Sequence, residues 1–229
     1  MTGSLVVVGT GIGAGQMTSE SRAAIASAEH VLYLAGDQVT ADEIERLNPA
    51  AASLAGCFEN GASSLAAYER VVDSVLAPAR AGGRVCAAFY GHPGVFVHPA
   101  GEAIRRARAE GIEARMLPGV SALDCLFADL GVDPAAAGLQ TYEATDFLRR
   151  RPALEPRAGL VLWQVGVTDS AELLAVGLQE IYPSGHEAVV YEASPYPGLP
   201  PRADRIGLDR LGGAELTPRS TLYVPPVPG

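Results

Sequence analysis

Two histidines follow a strand-like apolar run in the first half of the chain. The run RVCAAFY (84–90) ends at Gly91, and two His-Pro pairs then begin at His92 and His98. Imidazoles this close together could bind a metal ion, act as a general base or belong to a ligand-binding loop. No cluster of carboxylates or cysteines in the sequence completes a metal site around them, so we predict that no metal is bound.

Glycine-rich loops follow three of the strand-like runs. They read GTGIG at 9–13, GHPGVF at 91–96 and LPGVSA at 117–122. Glycine lets the backbone approach a ligand closely, and proline fixes the turn. Because ligands of open α/β sheets bind outside the carboxyl ends of the strands, we expect the three loops to line one pocket. Such a backbone-lined pocket suits a flat, polar ligand such as a nucleoside.

The first loop has an alternative interpretation as a dinucleotide fingerprint, G-x-G-x-x-G/A, over residues 9–14. A nicotinamide-dependent oxidoreductase would then use Asp37, after the second strand, to bind the ribose. The motif is weak by itself, because we expect the following helix to begin only at a cap formed by Ser19. A glycine-rich turn without any ligand is a further alternative.

Short apolar runs alternate with helical patterns in the N-terminal half, which is typical of a parallel sheet in an α/β protein. The helices are predicted at 19–29, 63–80, 100–111 and 120–131. The rhythm changes after QTYEATDFL. Beyond it we predict strands at 159–166, 187–194 and 220–226, with helices at 169–182 and 202–211 between them.

Composition and charge exclude several classes of partner. The net charge is −9, which argues against a nucleic-acid partner or an anionic membrane surface. No apolar run approaches the ~18 residues of a membrane span, and the N-terminus does not have the pattern of a signal peptide. The three cysteines, Cys57, Cys86 and Cys125, are odd in number and widely spaced, which fits a reducing compartment. We therefore expect a cytoplasmic protein.

Several motifs taken together resemble the tetrapyrrole methylase (class III) fold of S-adenosylmethionine-dependent methyltransferases. The motifs are GTGIGAGQMT, YGHPGVF, MLPGVSALDCLFADLG, QTYEATDFL, LWQVG and STLYVPP. More narrowly, they resemble the borosin-type peptide backbone α-N-methyltransferases. The resemblance implies a two-lobed α/β fold, with a mainly parallel N-terminal sheet, a mixed C-terminal sheet and the cofactor in the cleft between them. We place the lobes at 1–118 and 119–229, and the resemblance also implies a homodimer.

The resemblance implies specific site residues for S-adenosylmethionine and for its product S-adenosylhomocysteine. The cofactor contacts would be Gly9, Tyr90, His92, Val95, Phe96, Ser121, Ala122, Gln164 and Thr221. The catalytic residues would be Tyr68 and Tyr90. Without the resemblance, Tyr68 is an ordinary aromatic residue on the apolar stripe of its helix. His98 would open the following helix in a surface or structural role.

The sequence departs from the borosin pattern beside Tyr68. Where the resemblance implies an Arg and a Tyr, this chain has Ser64 and Phe58. Donors at those positions would stabilise negative charge that develops on an amide, so amide methylation needs another source of activation here. The sequence also stops three residues after STLYVPP, so we expect a peptide or small-molecule acceptor supplied in trans. An alternative is a degenerate member that binds cofactor or peptide without methylating it.

Overall fold

The computed structural model describes residues 3–58, 64–167 and 171–228 of the chain. They form two compact units. The first contains Met1–Ala122 and Pro195–Gly198, and the second contains Leu123–Ser194 and Leu199–Gly229. The division of the lobes at 118/119 stays a prediction.

The first unit is built on a five-stranded sheet. Its strands are β1 (Ser4–Gly9), β2 (His30–Leu34), β3 (Ala52–Ser53), β4 (Arg84–Phe89) and β5 (Glu113–Leu117). They lie in the order β3-β2-β4-β1-β5, and every pairing is parallel. This confirms the parallel N-terminal sheet that the alternation of runs predicts, and all the strands end at one edge.

Helices cover both faces of this sheet. They are α1 (Ser19–Ser27), α2 (Gln38–Leu47), α3 (Ser64–Arg80) and α4 (His98–Ala109). Val7 belongs to a buried cluster with Val72 and Val75 of α3, whereas its neighbour Val8 packs with Ile25 of α1 and Ile44 of α2. Because side chains alternate along a strand, a continuous apolar run such as LVVV supplies both cores.

The first two helices begin at side-chain caps. The Thr18 hydroxyl oxygen accepts a hydrogen bond from the backbone N–H of Ser21 at 3.1 Å, so the predicted cap at Ser19 was wrong by one residue. Asp37 caps α2 in the same way, accepting from the N–H of Thr40 at 2.9 Å and from its hydroxyl at 2.7 Å. The helix α2 itself was not predicted.

The second unit contains a mixed sheet, as predicted. Its strands are β6 (Leu139–Glu143), β7 (Gly159–Trp163), β8 (Glu187–Glu192), β9 (Arg202–Gly207) and β10 (Thr221–Val224). In the order β6-β7-β10-β8-β9, only the first pairing is parallel. Its helices are α5 (Ala122–Leu130), α6 (Pro134–Ala137), α7 (Ala144–Arg150) and α8 (Ala171–Gln179). The predicted start of α8 at 169 lies outside the described residues.

The helix predicted at 202–211 was wrong. Residues Arg202–Gly207 form β9, and a short 3-10 helix follows at Leu208–Gly213. Ion pairs link β9 to β8: Arg205 lies 2.6 Å from Glu187, and Arg202 lies 3.2 Å from Glu192. Opposite charges across neighbouring strands stabilise the pairing, and this overrides the helical appearance of the charged segment.

No helix in the described part of the chain is both long and apolar enough to cross a membrane.

A candidate active site at the ends of three parallel strands

The loops after β1, β4 and β5 touch through their backbones. A Cβ placed on Gly9 would lie 2.4 Å from the carbonyl oxygen of Gly91 and 2.8 Å from the Cα of Gly119. Gly11 and Gly91 also exchange backbone hydrogen bonds of 3.3 and 2.9 Å. The three loops therefore come together at the carboxyl edge of the sheet. Only glycine fits at Gly9 and Gly119, because any side chain there would overlap neighbouring backbone.

The loop after β4 is held in shape by its own histidine. The Nδ1 atom of His92 accepts a hydrogen bond from the N–H of Gly94 at 2.9 Å, and the N–H of Val95 donates to the carbonyl of His92 at 2.9 Å. An imidazole that accepts at Nδ1 carries its proton on Nε2 when neutral. His92 thus positions the loop with one nitrogen and keeps the other as a donor.

Phe96, in the same loop, adopts an unusual backbone conformation. Its φ is +58°, in the left-handed region that bulky residues rarely enter, and its side chain is 53% exposed. Strained residues of this kind cluster at binding and catalytic sites, where the surrounding structure holds them in place. Phe96 therefore combines a backbone conformation that is common at functional sites with a place in the loop for which the resemblance implies cofactor contacts.

Tyr90, the residue after β4, contacts the end of β2 and the residues that follow it. A Cβ placed on Gly36, two residues after β2, would lie 2.2 Å from the Tyr90 ring. The N–H of Tyr90 donates to the carbonyl of Leu34 at 2.9 Å. In the loop after β5, Ser121 is buried and Ala122 begins α5. The cofactor-binding role predicted for these residues, and for Gly9, His92, Val95 and Phe96, stays a prediction.

Tyr68 of α3 lines a cavity of about 490 Å³ in the first unit. Phe96 and Val97 of the loop after β4 line the same cavity, together with His98, Glu102 and others from α4. The remaining lining residues are Pro93, Gly94, Gly101 and Arg105. A tyrosine thus lies beside the loop for which the resemblance implies contacts to the cofactor. Its catalytic role stays a prediction.

The Tyr68 ring is close to two other rings. Phe58 meets it edge-on, with centroids 6.1 Å apart, and the His98 imidazole is tilted against it at 5.9 Å. Phe58, one of the two departures from the borosin pattern, is therefore next to the phenol and offers it no hydrogen bond. The other departure, Ser64, begins α3, but its side chain and residues 59–63 lie outside the described residues.

Glu102 and Arg105, which also line this cavity, were not predicted from the sequence to be site residues. The Glu102 carboxylate accepts from the Arg105 guanidinium at 2.6 and 2.8 Å and from Arg106 at 2.6 Å, and these hydrogen bonds lower the pKa of Glu102 to about 2. The carboxylate stays charged and paired in neutral solution. The spacing of Glu102 and Arg105, three residues apart within the predicted helix at 100–111, was the signal that could have found them.

Two of the residues predicted to contact the cofactor, Gln164 and Thr221, lie in the second unit. Gln164 follows β7 with a φ of +56°, and the buried Thr221 begins β10. Next to Thr221, the Ser220 hydroxyl donates to Glu192 at 2.6 Å. Burial raises the pKa of Glu192, but hydrogen bonds from Ser220 and Thr217 and the charge of Arg202 lower it overall. The role of Gln164 and Thr221 in cofactor binding stays a prediction.

Asp37, the residue that the nicotinamide interpretation needs, has a structural task as the cap of α2. We expect Asp37→Ala to lower the free energy of unfolding by about 1 kcal/mol, because the first turn of α2 loses its acceptor. Cofactor binding should not change. Urea unfolding and a calorimetric titration check this, with the exposed Asp42→Ala of the same helix as control. A loss of nucleotide binding in Asp37→Ala alone would contradict it.

The described residues hold no group of three or more His, Cys, Asp or Glu side chains that could bind a metal ion.

Comparison with known proteins gives one consistent result. The profile of the Tetrapyrrole (Corrin/Porphyrin) Methylases matches residues 4–196. The methyltransferase and precursor of the cyclic peptide dendrothelin A from Dendrothele bispora is 40% identical over 98% of this chain and 58% of its own length. The corresponding omphalotin A precursor of Omphalotus olearius is 39% identical with the same coverage. The chain therefore spans less than two thirds of these relatives.

The fold is similar to that of a solved uroporphyrin-III C-methyltransferase from Thermus thermophilus, in complex with S-adenosylhomocysteine. The TM-score is 0.68 at 19% identity, over 97% of this chain and 92% of that one. This likeness shows a shared fold for the two proteins.

Proposed function

We infer that this chain, which belongs to the tetrapyrrole (corrin/porphyrin) methylase family, transfers a methyl group from S-adenosylmethionine to a peptide. The observation that carries the inference is the shared cavity of Tyr68 and the loop 93–97. It joins a candidate acid-base group to the loop that the motifs assign to the cofactor. The relatives, which are methyltransferases joined to cyclic peptide precursors, support a peptide as the acceptor.

The strand ends of the first unit fit the proposed cofactor. Gly9, Gly91 and Gly119 leave backbone atoms, rather than side chains, at the carboxyl edge of the sheet, where a nucleoside can be bound closely. When bound, S-adenosylmethionine supplies a methyl group on a positively charged sulfur. Tyr90, His92, Val95 and Phe96 would hold it from the loop after β4, and Ser121 and Ala122 from the loop after β5.

The residues around Tyr68 would orient the acceptor. Methyl transfer needs the acceptor, the methyl carbon and the sulfur in line, with bulk water excluded. The apolar side chains of Phe58 and Phe96 suit water exclusion, while the Tyr68 phenol can hydrogen-bond the acceptor. Since Phe58 cannot donate a hydrogen bond, activation of an amide depends on Tyr68 and on other polar groups of the cavity.

Mass spectrometry of methyl transfer tests this proposal. The probe is the segment of the dendrothelin A precursor outside its alignment with this chain, added as a separate peptide with S-adenosylmethionine. We expect mass additions of one methyl group, located on the peptide by fragmentation, and calorimetric binding of S-adenosylhomocysteine but not of NADH. Methylation of this separate peptide would also show that the acceptor can be supplied in trans. A panel of apolar synthetic peptides extends the search if the first peptide is a poor substrate.

A second candidate is a degenerate member that binds cofactor or peptide without transfer, and the apolar Phe58 favours it. Such a protein would bind S-adenosylhomocysteine and methylate no peptide. A third candidate is a methyltransferase for a small-molecule acceptor, which would release S-adenosylhomocysteine when candidate small molecules replace the peptide in the assay.

We also propose that the protein is a homodimer, as the resemblance to borosin methyltransferases implies. Light scattering at micromolar concentration should give the mass of two chains. A mass near the 23.7 kDa of one chain would contradict the dimer without affecting the proposed chemistry.

A further inference from the structure

We propose that His98 receives, through Tyr68, the proton that leaves the acceptor during methyl transfer. The proposal rests on the proposed function and assigns a role to a residue that the motifs treat as structural. It makes Tyr68 and His98 a pair, in which the phenol contacts the acceptor and the imidazole acts behind it as a positioning residue.

The geometry of α4 brings His98 to the phenol. His98 is the first residue of α4, with Pro99 directly after it, and the helix packs against α3 through the buried Ala100 and Ala103. The imidazole and phenol centroids lie 5.9 Å apart with the ring planes at 40°. In the proposed transfer, a direct hydrogen bond or one bridging water joins the phenol oxygen to a ring nitrogen of His98. Both residues line the same cavity.

The ring nitrogens of His98 are available for proton transfer. Within the described ranges, no hydrogen bond to another protein group engages them. Two other histidines differ: Nδ1 of His92 accepts from Gly94, and Nε2 of His186 contacts the carbonyl oxygen of Pro225 at 2.8 Å. His98 is also exposed, so a proton that it receives can pass on to solvent.

The charged groups packed around this pair are already paired with each other. On α3, Glu69 accepts from Arg106 at 2.8 Å. On α4, Glu102 is bonded by Arg105 and Arg106. The neighbouring residues Phe58, Phe96 and Val97 carry no charge. Among the described groups around the cavity, Tyr68 and His98 are therefore the two that can exchange a proton without breaking an ion pair.

The proposed step conserves atoms and charge. The acceptor nitrogen forms a bond to the methyl carbon, the carbon–sulfur bond breaks and its electron pair stays on sulfur, giving S-adenosylhomocysteine. The proton on nitrogen passes to the Tyr68 oxygen, and the phenol proton passes to a ring nitrogen of His98. The imidazolium then releases it to water. An imidazole is the stronger base of the two, so it completes a proton transfer that a phenol alone drives poorly.

The test measures turnover with the dendrothelin-derived peptide for wild type, His98→Ala and His98→Gln. Turnover of both variants should fall roughly 100- to 10,000-fold. Added imidazole should restore part of the activity of His98→Ala, because a free base can enter the space left by the side chain. S-adenosylhomocysteine affinity and melting temperature should match wild type. The control is His30→Ala, an exposed histidine at the opposite end of the sheet.

Two results would overturn the role of His98. The first is wild-type turnover in His98→Ala. The second is a loss of turnover that imidazole does not restore, which would indicate a structural effect. A wild-type enzyme that methylates none of the peptides would instead overturn the proposed function, and the role of His98 with it.

Discussion

Tyr68→Phe should slow methyl transfer by roughly 100- to 10,000-fold. The substitution removes one oxygen atom and keeps the ring that packs against Phe58 and His98. It therefore tests the phenol as an acid-base group rather than as part of the packing. Turnover of the peptide, followed by mass spectrometry under saturating cofactor, is the measurement.

The affinity for S-adenosylhomocysteine should stay at the wild-type value in Tyr68→Phe, because Tyr68 lies on α3 and the proposed cofactor contacts lie in the strand-end loops. The control is Tyr142→Phe, which removes a phenol from a half-buried tyrosine that packs on Phe147 of the second unit. Undiminished turnover in Tyr68→Phe would show that the catalytic residue is wrongly assigned. Equal losses in both variants would point to a general effect on the fold.

Gly9→Ala should abolish measurable cofactor binding and lower the free energy of unfolding by about 1–3 kcal/mol. The new methyl group would lie 2.4 Å from the carbonyl oxygen of Gly91 and 2.8 Å from both the Cα of Gly119 and the Cδ of Pro93. Three loops must then separate to admit it. Calorimetry with S-adenosylhomocysteine and urea unfolding report the two effects separately.

The matched control is Gly177→Ala. Gly177 lies inside α8, where an added Cβ meets no other atom within 4 Å, so alanine should stabilise the helix slightly. Wild-type cofactor affinity in Gly9→Ala would mean that the strand-end loops do not form the cofactor site. Of the three atoms that an added Cβ at Gly9 would meet, only the Cδ of Pro93 belongs to a side chain, so it can move more easily than the backbone atoms of Gly91 and Gly119.

The parallel sheet of the first unit could be predicted because its sequence is locally consistent. Each predicted apolar run is followed by glycine or proline, and the predicted helix at 63–80 carries a clear apolar stripe. The contact between Gly9, Gly91 and Gly119 follows from the same logic, since parallel strands end at a common edge.

The sequence-based predictions were wrong where a short segment is compatible with more than one secondary structure or role. Charged residues at close spacing in RADRIG suggested a helix face, but Arg202 and Arg205 also bind Glu192 and Glu187 of β8, which lie ten and eighteen residues away in sequence. The helix α2 was missed because Asp37 was considered as a ligand-binding acid instead of a cap. Local sequence does not distinguish these uses of an aspartate.

The candidate site itself required the tertiary structure. Nothing in the sequence indicates that Phe96 and Gln164 adopt positive φ, because neither residue type prefers it and the surrounding contacts impose it. The contact of His98 with Tyr68 joins residues thirty positions apart on two helices, so only their packing reveals it.

The outermost strand of the second sheet also bears on how the protein behaves at high concentration. Open sheet edges can recruit strands from other molecules and start aggregates. On β9 the side chains of Asp204 and Arg205 are 59% and 66% exposed, each in an ion pair. A strand that added to this edge would have to remove those charges from water. The charges on β9 thus oppose the addition of a further strand at this edge of the sheet.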